Sequence, residues 1–243
     1  MYYKNKNCKL YNQDNLEVLK LLPDDYIDLI YCDILYNTGR KFKDYDDKLG
    51  TPQEAILWYE PRLIEMKRVL KDSGSIYLHM DFRLVHYMKV KTDEIFGINN
   101  FVNEIIWEYG LGGSGNRSFS KKHDNILFYS NSNNYIFNIQ YEKATSNKMK
   151  GEMKKMKDVW NIPNINNMAK ERIGYDTQKP KELLKRIILS SSNPNDIVAD
   201  FFMGSGTTGE VSVELGRKFI GCDISERACE ITKNRILNLK IDS

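Results

Sequence analysis

Apolar residues along this chain gather into short runs, and the best defined of these runs end on an acid. Residues 26–32 form one, apolar except at Asp28, and close on Asp33. A run of that length and composition reads as a buried strand with a carboxylate at its C-terminal edge. A short helix is expected before it, at 16–22. Residues 52–70 carry helical spacing through Ile56, Tyr59, Leu63, Met66 and Leu70. Thr51 is placed to cap that helix, Pro52 lies in its first turn, and Asp72-Ser73-Gly74 closes it. Residues 75–80 make the next strand, which ends at Asp81, and a helix over 82–96 follows. Two further strands, 104–109 and 125–130, flank the loop 110–122.

The same pattern returns late in the chain, where the run 196–200 ends on Asp200 and leads into Phe201-Phe202-Met203-Gly204-Ser205-Gly206-Thr207-Thr208-Gly209. This reads as strand, glycine turn and helix, followed by a strand at 218–222 and a helix from Ser225 to Leu239. Alternation of this kind predicts one α/β domain on a mostly parallel, Rossmann-like sheet. The tail alone cannot complete such a sheet, so its other strands must come from upstream.

Glycine in the turn lets backbone N–H groups approach a ligand, and the helix behind it offers its positive end to an anionic group. Gly204, Gly206 and Gly209 satisfy G-x-G-x-x-G, with Asp223 placed to accept ribose hydroxyls. A dinucleotide fold normally begins with this turn, whereas here it comes near the end, and no Lys follows the glycines as a phosphate-gripping loop requires. The remaining ligand class has a ribose and no obligatory pyrophosphate. S-adenosylmethionine fits that description.

At 243 residues the chain holds one sizeable domain with an excursion. The excursion shows in composition, since Asn, Ser and Lys accumulate over 110–175 and the helix-strand alternation is lost. The glycine-rich loop 111–118 is basic at its end, and Lys143, Lys148, Lys150, Lys154, Lys155 and Lys157 form a cationic run. Such runs are most often solvated faces. Beside a nucleotide-handling core, phosphate contact is the sharper expectation, with Arg117, Lys121, Lys122, Lys154 and Lys155 as candidates. The net charge of +3, from 36 Lys and Arg against 33 Asp and Glu, permits a polyanionic partner without requiring one. Cys8, Cys32, Cys222 and Cys229 form no C-x-x-C pair, and His79, His86 and His123 show no ligand spacing, so no metal site is expected. No stretch has the apolar length of a membrane span, and the first residues begin no signal segment; the expectation is a soluble, cytoplasmic protein.

Three motifs, in this order, carry a resemblance to a known family. Asp33-Ile34-Leu35-Tyr36-Asn37-Thr38-Gly39 is similar to D-P-P-Y-N-T-G, Thr177-Gln178-Lys179-Pro180 to T-Q-K-P, and residues 200–208 to D-P-F-x-G-x-G-T-T. Over nearly its whole length the chain resembles the β-class DNA amino-methyltransferases. The resemblance implies a methyltransferase sheet in permuted motif order: a catalytic half at 1–109, a target-recognition insertion at 110–175 and a cofactor-binding half at 176–243. It implies S-adenosylmethionine as cofactor, double-stranded DNA as partner and the N6 amino group of a flipped adenine as target. It also admits a homodimer and a cognate restriction endonuclease. For cytosine-N4 methylation the family more often has Ser at the position of Asp33, so Asp33 points to adenine.

Residue roles follow from the same likeness. An exocyclic amine is a poor nucleophile because its lone pair is delocalised, so two acceptors must draw its hydrogens out of plane; the Asp33 carboxylate and the Ile34 carbonyl are placed to do so. Tyr36 stacks on the flipped base. Asp33, Asp200, Phe202, Gly204 and Gly206 shape the cofactor site, Thr207 or Thr208 bonds the cofactor carboxylate, and Asp223 holds the ribose. Asp14 lies near its adenine and Lys179 near its carboxylate. Helix capping is the plainer role for the two threonines. Ile34 and Leu35 stand where the family has two prolines, so a loosened turn and slower catalysis are expected, with a catalytically impaired DNA- and cofactor-binding subunit as the competing reading.

Overall fold

A strand apolar along its whole length needs cover on both faces, and the run ending at Asp33 becomes β3 (Ile27–Asp33), the centre of a nine-stranded sheet. The structure, a computed structural model, describes residues 1–110, 115–144, 149–166 and 168–239. The other strands are β1 (Tyr3–Lys4), β2 (Cys8–Asn12), β4 (Leu70–Met80), β5 (Phe101–Glu108), β6 (His123–Ser130), β7 (Tyr141–Lys143), β8 (Met153–Lys155), β9 (Val159–Asn161), β10 (Ile197–Asp200) and β11 (Lys218–Asp223). The α-helices are α1 (Asn15–Leu21), α2 (Pro52–Val69), α3 (Val85–Phe96), α4 (Lys181–Ser191), α5 (Thr207–Glu214) and α6 (Glu226–Leu237).

The large sheet runs β1-β2-β11-β10-β3-β4-β6-β5-β9. From β2 to β4 every neighbouring pair is parallel, as is the pair of β5 and β9, while β1 and the β5–β6 hairpin supply the antiparallel pairings. The late motif therefore inserts β10 and β11 between β2 and β3, which closes the sheet that the tail alone could not build.

Side chains of β3 alternate between two cores. Ile30 and Cys32 meet Val18 of α1, Tyr59 and Leu63 of α2 and Met88 of α3, whereas Leu29 and Tyr31 meet Leu183 and Ile187 of α4 and Val211 of α5. The helices that follow β3 and β10 thus leave on opposite faces. A crevice opens between the C-terminal ends of those two strands, the place where open α/β sheets hold ligands. All four cysteines are buried and free.

Local chemistry accounts for the helix starts. Thr51 and Glu54 form a reciprocal capping box ahead of Pro52. The helix expected at 82–96 begins only at Val85, because Asp81 Oδ1 accepts from the Arg83 N–H (2.9 Å) and the Asp81 carbonyl from Leu84 (3.3 Å), which closes a turn first. Strand β4 starts at Leu70 rather than at residue 75. Asp72-Ser73-Gly74 stays extended because Gly74 O accepts from the Asn131 N–H and the Asn131 side chain donates to Leu70 O and Lys71 O. The span 110–175 also lies partly inside the scaffold: β6 sits between β4 and β5, and β9 extends the sheet edge. What departs from the sheet is the loop before β6 and the ribbon of β7 and β8.

Candidate active site

Three parallel neighbours, β3, β10 and β11, end in carboxylates, and the ends of parallel strands lie side by side. Asp33, Asp200 and Asp223 thereby line one cleft, together with Asp14, Ile34, Tyr36, Lys179, Phe202, Gly204, Thr207 and Thr208. Gly206 is the one residue of the expected set outside that wall, and its role is conformational. It caps α5 with φ +73°, and a Cβ there would lie 2.7 Å from Thr232 Cβ, so no other residue fits without displacement.

The glycine turn is held from both sides. Asp200 Oδ1 accepts from the Phe202 N–H (3.0 Å) and Oδ2 from the Thr208 hydroxyl (2.6 Å). Burial pushes the Asp200 carboxyl up to about 7, against the pull of those two donors, and the nearby Asp33 and Asp223 charges add to the rise. Arg235 donates to Ser205 O (2.9 Å) and to the Thr207 hydroxyl (3.2 Å) and is itself ion-paired with Glu210. Both threonine hydroxyls are therefore engaged within the protein, and neither caps α5. The backbone N–H groups of its first turn have no helical acceptor and remain the donors for an anionic end of a ligand.

Asp223 is anchored at both oxygens, Oδ2 accepting from the Gly204 N–H (3.0 Å) and Oδ1 from the Ser225 N–H (2.9 Å). Burial raises its carboxyl above the ordinary range. A carboxylate has about four acceptor sites, so acceptor capacity is left for ligand hydroxyls. Asp14 caps α1 through the Leu16 N–H (2.9 Å) and pairs with Arg62 (2.8 Å). Arg62 also donates to Asn15 Oδ1 and to Trp58 O, and its guanidinium lies 3.4 Å from the Trp58 ring centroid. Trp58 and Phe202 present flat apolar walls to the cleft.

At the other end, Asp33 is gripped on each oxygen, by the Tyr36 hydroxyl at Oδ1 (2.9 Å) and by the Lys179 ammonium at Oδ2. Lys179, expected beside a cofactor carboxylate, is paired here with Asp33. The Tyr36 hydroxyl also reaches Asp124 Oδ2 (3.1 Å), which stands 3.3 Å from His79 Nε2. Burial opposes ionisation of Asp124, but the hydrogen bond from His79, with Lys179 and the Tyr36 hydroxyl, holds its carboxyl below the ordinary range. The turn after Asp33 is held without prolines. The Ile34 N–H donates to His79 O (3.1 Å), its side chain is buried, Tyr59 donates to Leu35 O (2.9 Å), and Asp47 receives the N–H groups of Asn37 and Thr38. The looseness expected of Ile34 and Leu35 is offset by these bonds.

The basic candidates separate into two places. Arg117, Lys121 and Lys122 lie in the β5–β6 connection, at the end of the sheet where Asp124 bonds to Tyr36, and Lys121 rests 4.4 Å from the Phe82 ring centroid. Lys154 and Lys155 sit on the β7–β8 ribbon. The segment leading to that ribbon is bonded to Ser73 and Ser190, at the far end of β4 and α4, and Lys154 pairs with Glu142 (3.4 Å). Lys148 and residues 111–114 lie outside the described residues. No group of metal-ligating side chains occurs among the described residues.

Arg62, His79 and Asp124 were not assigned roles from the sequence. His79 stands out as a polar residue inside an otherwise apolar run, Arg62 and Asp124 lie among other polar residues, and only pairing joins His79 to Asp124: β4 and β6 run antiparallel with His79 opposite Ile126, which brings Asp124 alongside.

Residues 27–234 match the family N6_N4_Mtase, described as DNA methylase. The chain is 34% identical over 229 residues to the Type II methyltransferase M.HpaI of Haemophilus parainfluenzae, an alignment covering 91% of this chain and 71% of that protein. It is 31% identical to the DNA adenine methyltransferase YhdJ of Escherichia coli (strain K12), covering 96% and 84%. Among solved structures, the cytosine-N4-specific PvuII DNA methyltransferase superposes with a TM-score of 0.73 at 16% identity, covering 99% of this chain and 90% of that one. The Thermus thermophilus protein TTHA0409, complexed with S-adenosyl-L-methionine, superposes with a TM-score of 0.69 at 19% identity, covering 94% and 92%.

Proposed function

The chain belongs to the N6_N4_Mtase family of DNA methylases, and we propose that it transfers the methyl group of S-adenosylmethionine to the N6 amino group of adenine in duplex DNA, with Asp33 as the acid that activates the amine. The observation that carries this reading is the position of Asp33: oriented by Lys179 and Tyr36, at the rim of the cleft that the glycine turn and Asp223 enclose.

The cleft fits the cofactor by the chemistry of its walls. The remaining acceptor capacity of Asp223 suits ribose hydroxyls, the first-turn N–H groups of α5 suit a carboxylate, and Trp58 and Phe202 suit a purine ring. Bound there, S-adenosylmethionine supplies a methyl group on a positively charged sulfur, open to in-line displacement. The Asp33 carboxylate and the Ile34 carbonyl accept the amino hydrogens of the base and localise its lone pair. Lys179 fixes the direction of the Asp33 acceptor, and the Tyr36 ring offers a face to the extruded base. Holding amine and methyl donor in line across one crevice supplies much of the rate.

Arg117, Lys121 and Lys122, at the same end of the sheet as Asp33, are the phosphate contacts in this reading. In this reading the protein works in the cytoplasm, where cellular DNA is reached; separately, no helix of the described residues is long and apolar enough to cross a membrane. A homodimer and a cognate restriction endonuclease are further partners the resemblance suggests. The test is transfer of labelled methyl groups to unmodified genomic DNA, followed by nucleoside analysis. N6-methyladenine is the expected product. N4-methylcytosine would overturn the choice of base, and cofactor binding without any transfer would favour a silent binding subunit.

A further inference from the structure

The Tyr36 hydroxyl has a single hydrogen and two carboxylates in reach, Asp33 Oδ1 at 2.9 Å and Asp124 Oδ2 at 3.1 Å. Asp33 is the acid that must take the amino hydrogens of the base, and a hydroxyl bonded to Oδ1 spends part of that oxygen's acceptor strength. Were Asp33 its one partner, the hydroxyl would stay on Oδ1 beside the amine and draw on the same negative charge, or the ring would have to swing and give up its stacking position. The second carboxylate removes the conflict. We propose that Asp124, oriented by His79, is a positioning residue that takes over the Tyr36 hydroxyl when the target amine reaches Asp33, freeing the Asp33 oxygen without moving the ring.

The surroundings of Asp124 suit that task. It is buried, and its carboxylate is fixed by His79 Nε2 (3.3 Å) and the Tyr109 hydroxyl (3.3 Å). His79, fully buried, contacts the Tyr31 hydroxyl through Nδ1 (2.8 Å). One tautomer satisfies every group: Tyr31 donates to Nδ1, Nε2–H donates to Asp124, and the remaining lone pairs of Asp124 face the Tyr36 hydroxyl. Each carboxylate has its own cationic or N–H partner, Lys179 for Asp33 and His79 for Asp124, so the hydroxyl can pass between them without leaving either acid bare. The transfer needs no translation of the ring, since both oxygens already lie within hydrogen-bond reach.

This inference rests on the reading of Asp33 as the activating acid, and a double-mutant cycle separates the two. Asp124→Ala should lower kcat by about ten- to a hundredfold, the scale of one hydrogen bond to a charged group, while cofactor affinity read by Trp58 fluorescence stays at the parent value. Tyr36→Phe removes the hydroxyl that needs diverting. In that background Asp124→Ala should cost no more than about two- to threefold, a strong non-additivity. Asp124→Asn keeps the shape and one acceptor oxygen, and should give the same pattern with a smaller kcat loss; it carries the cycle if the alanine variant does not fold. Equal losses in both backgrounds, or no loss in either, would overturn the assignment. Asp33→Ala in the same assay reports on the underlying reading: if it retains activity, the role of Asp33 itself fails, whereas an inactive Asp33→Ala with additive penalties discards only the part given to Asp124.

Discussion

Asp200 joins a structural duty to an electrostatic tension. Its carboxyl ties the glycine turn to α5, yet burial raises it to about 7. In the unfolded chain it ionises near 3.9. A carboxyl raised by folding contributes stability that is fully present below the unfolded value and lost as pH rises through the folded one. Relative to Asp200→Asn, the parent should therefore lose stability between about pH 4 and pH 7, on the order of 2–4 kcal/mol, and then level off. Urea unfolding of both proteins at pH 5 and pH 8 checks this, and a constant difference would show that the buried acid is ionised throughout. At Ile34 and Leu35 the bonds predict opposite outcomes for the two missing prolines. Ile34→Pro removes the N–H that donates to His79 O and should cost about 1 kcal/mol or more, seen as a lower Tm. The Leu35 carbonyl keeps its bond to Tyr59 after Leu35→Pro, so that change should leave Tm within a degree or two. Among site residues, those legible in the sequence were acids at strand ends followed by a turn, since position along one chain segment reveals them. Arg62, His79 and Asp124 reach the site from other strands and helices, and nothing local ties them to it.

Elements were legible where their ends are decided by neighbours in sequence. The Thr51–Glu54 box and Pro52 fix the start of α2 from four consecutive residues. The start of β4 was hidden, because Asp72-Ser73-Gly74 looks like a turn and becomes strand only when Asn131 bonds to it. The turn before α5 depends on both kinds of signal. Its glycines announce it, but the reason Gly206 admits no side chain is Thr232 on α6. Gly206→Ala should destabilise the protein by about 1–3 kcal/mol and weaken cofactor binding with it, because the strained φ and the collision both displace the turn. Differential scanning calorimetry with and without S-adenosylmethionine measures the two effects together. A variant with parental Tm and ligand shift would mean that α6 yields easily.

For the molecule as a whole, the separation of basic residues makes a prediction about DNA that the sequence alone would have made differently. The cationic run suggested Lys154 and Lys155, but the ribbon that bears them is anchored at the end of the sheet away from Asp33. Replacing Arg117 and Lys121 with Ala should flatten the dependence of DNA binding on salt by up to about one unit per lost phosphate contact, while Lys154→Ala with Lys155→Ala should leave the slope near the parent's. Fold class was readable because one strand-acid-helix pattern recurs at both ends of the chain. The interleaving of β10 and β11 between β2 and β3 was not, since it is a long-range pairing with no local signal.

The central claim is that Asp33 activates an adenine amine in a cleft that binds S-adenosylmethionine independently of that acid's chemical task. Trp58 lines the cleft while Trp107 and Trp160 are buried outside it, so quenching of tryptophan fluorescence reports cofactor binding. The decisive measurement pairs that titration with methyl transfer to unmodified DNA for the parent and for Asp33→Ala. We expect N6-methyladenine from the parent, a transfer rate reduced at least about a thousandfold in the variant, and cofactor affinities within a few-fold of each other. Substantial transfer by Asp33→Ala, or an activity loss accounted for by lost cofactor binding alone, would contradict the account.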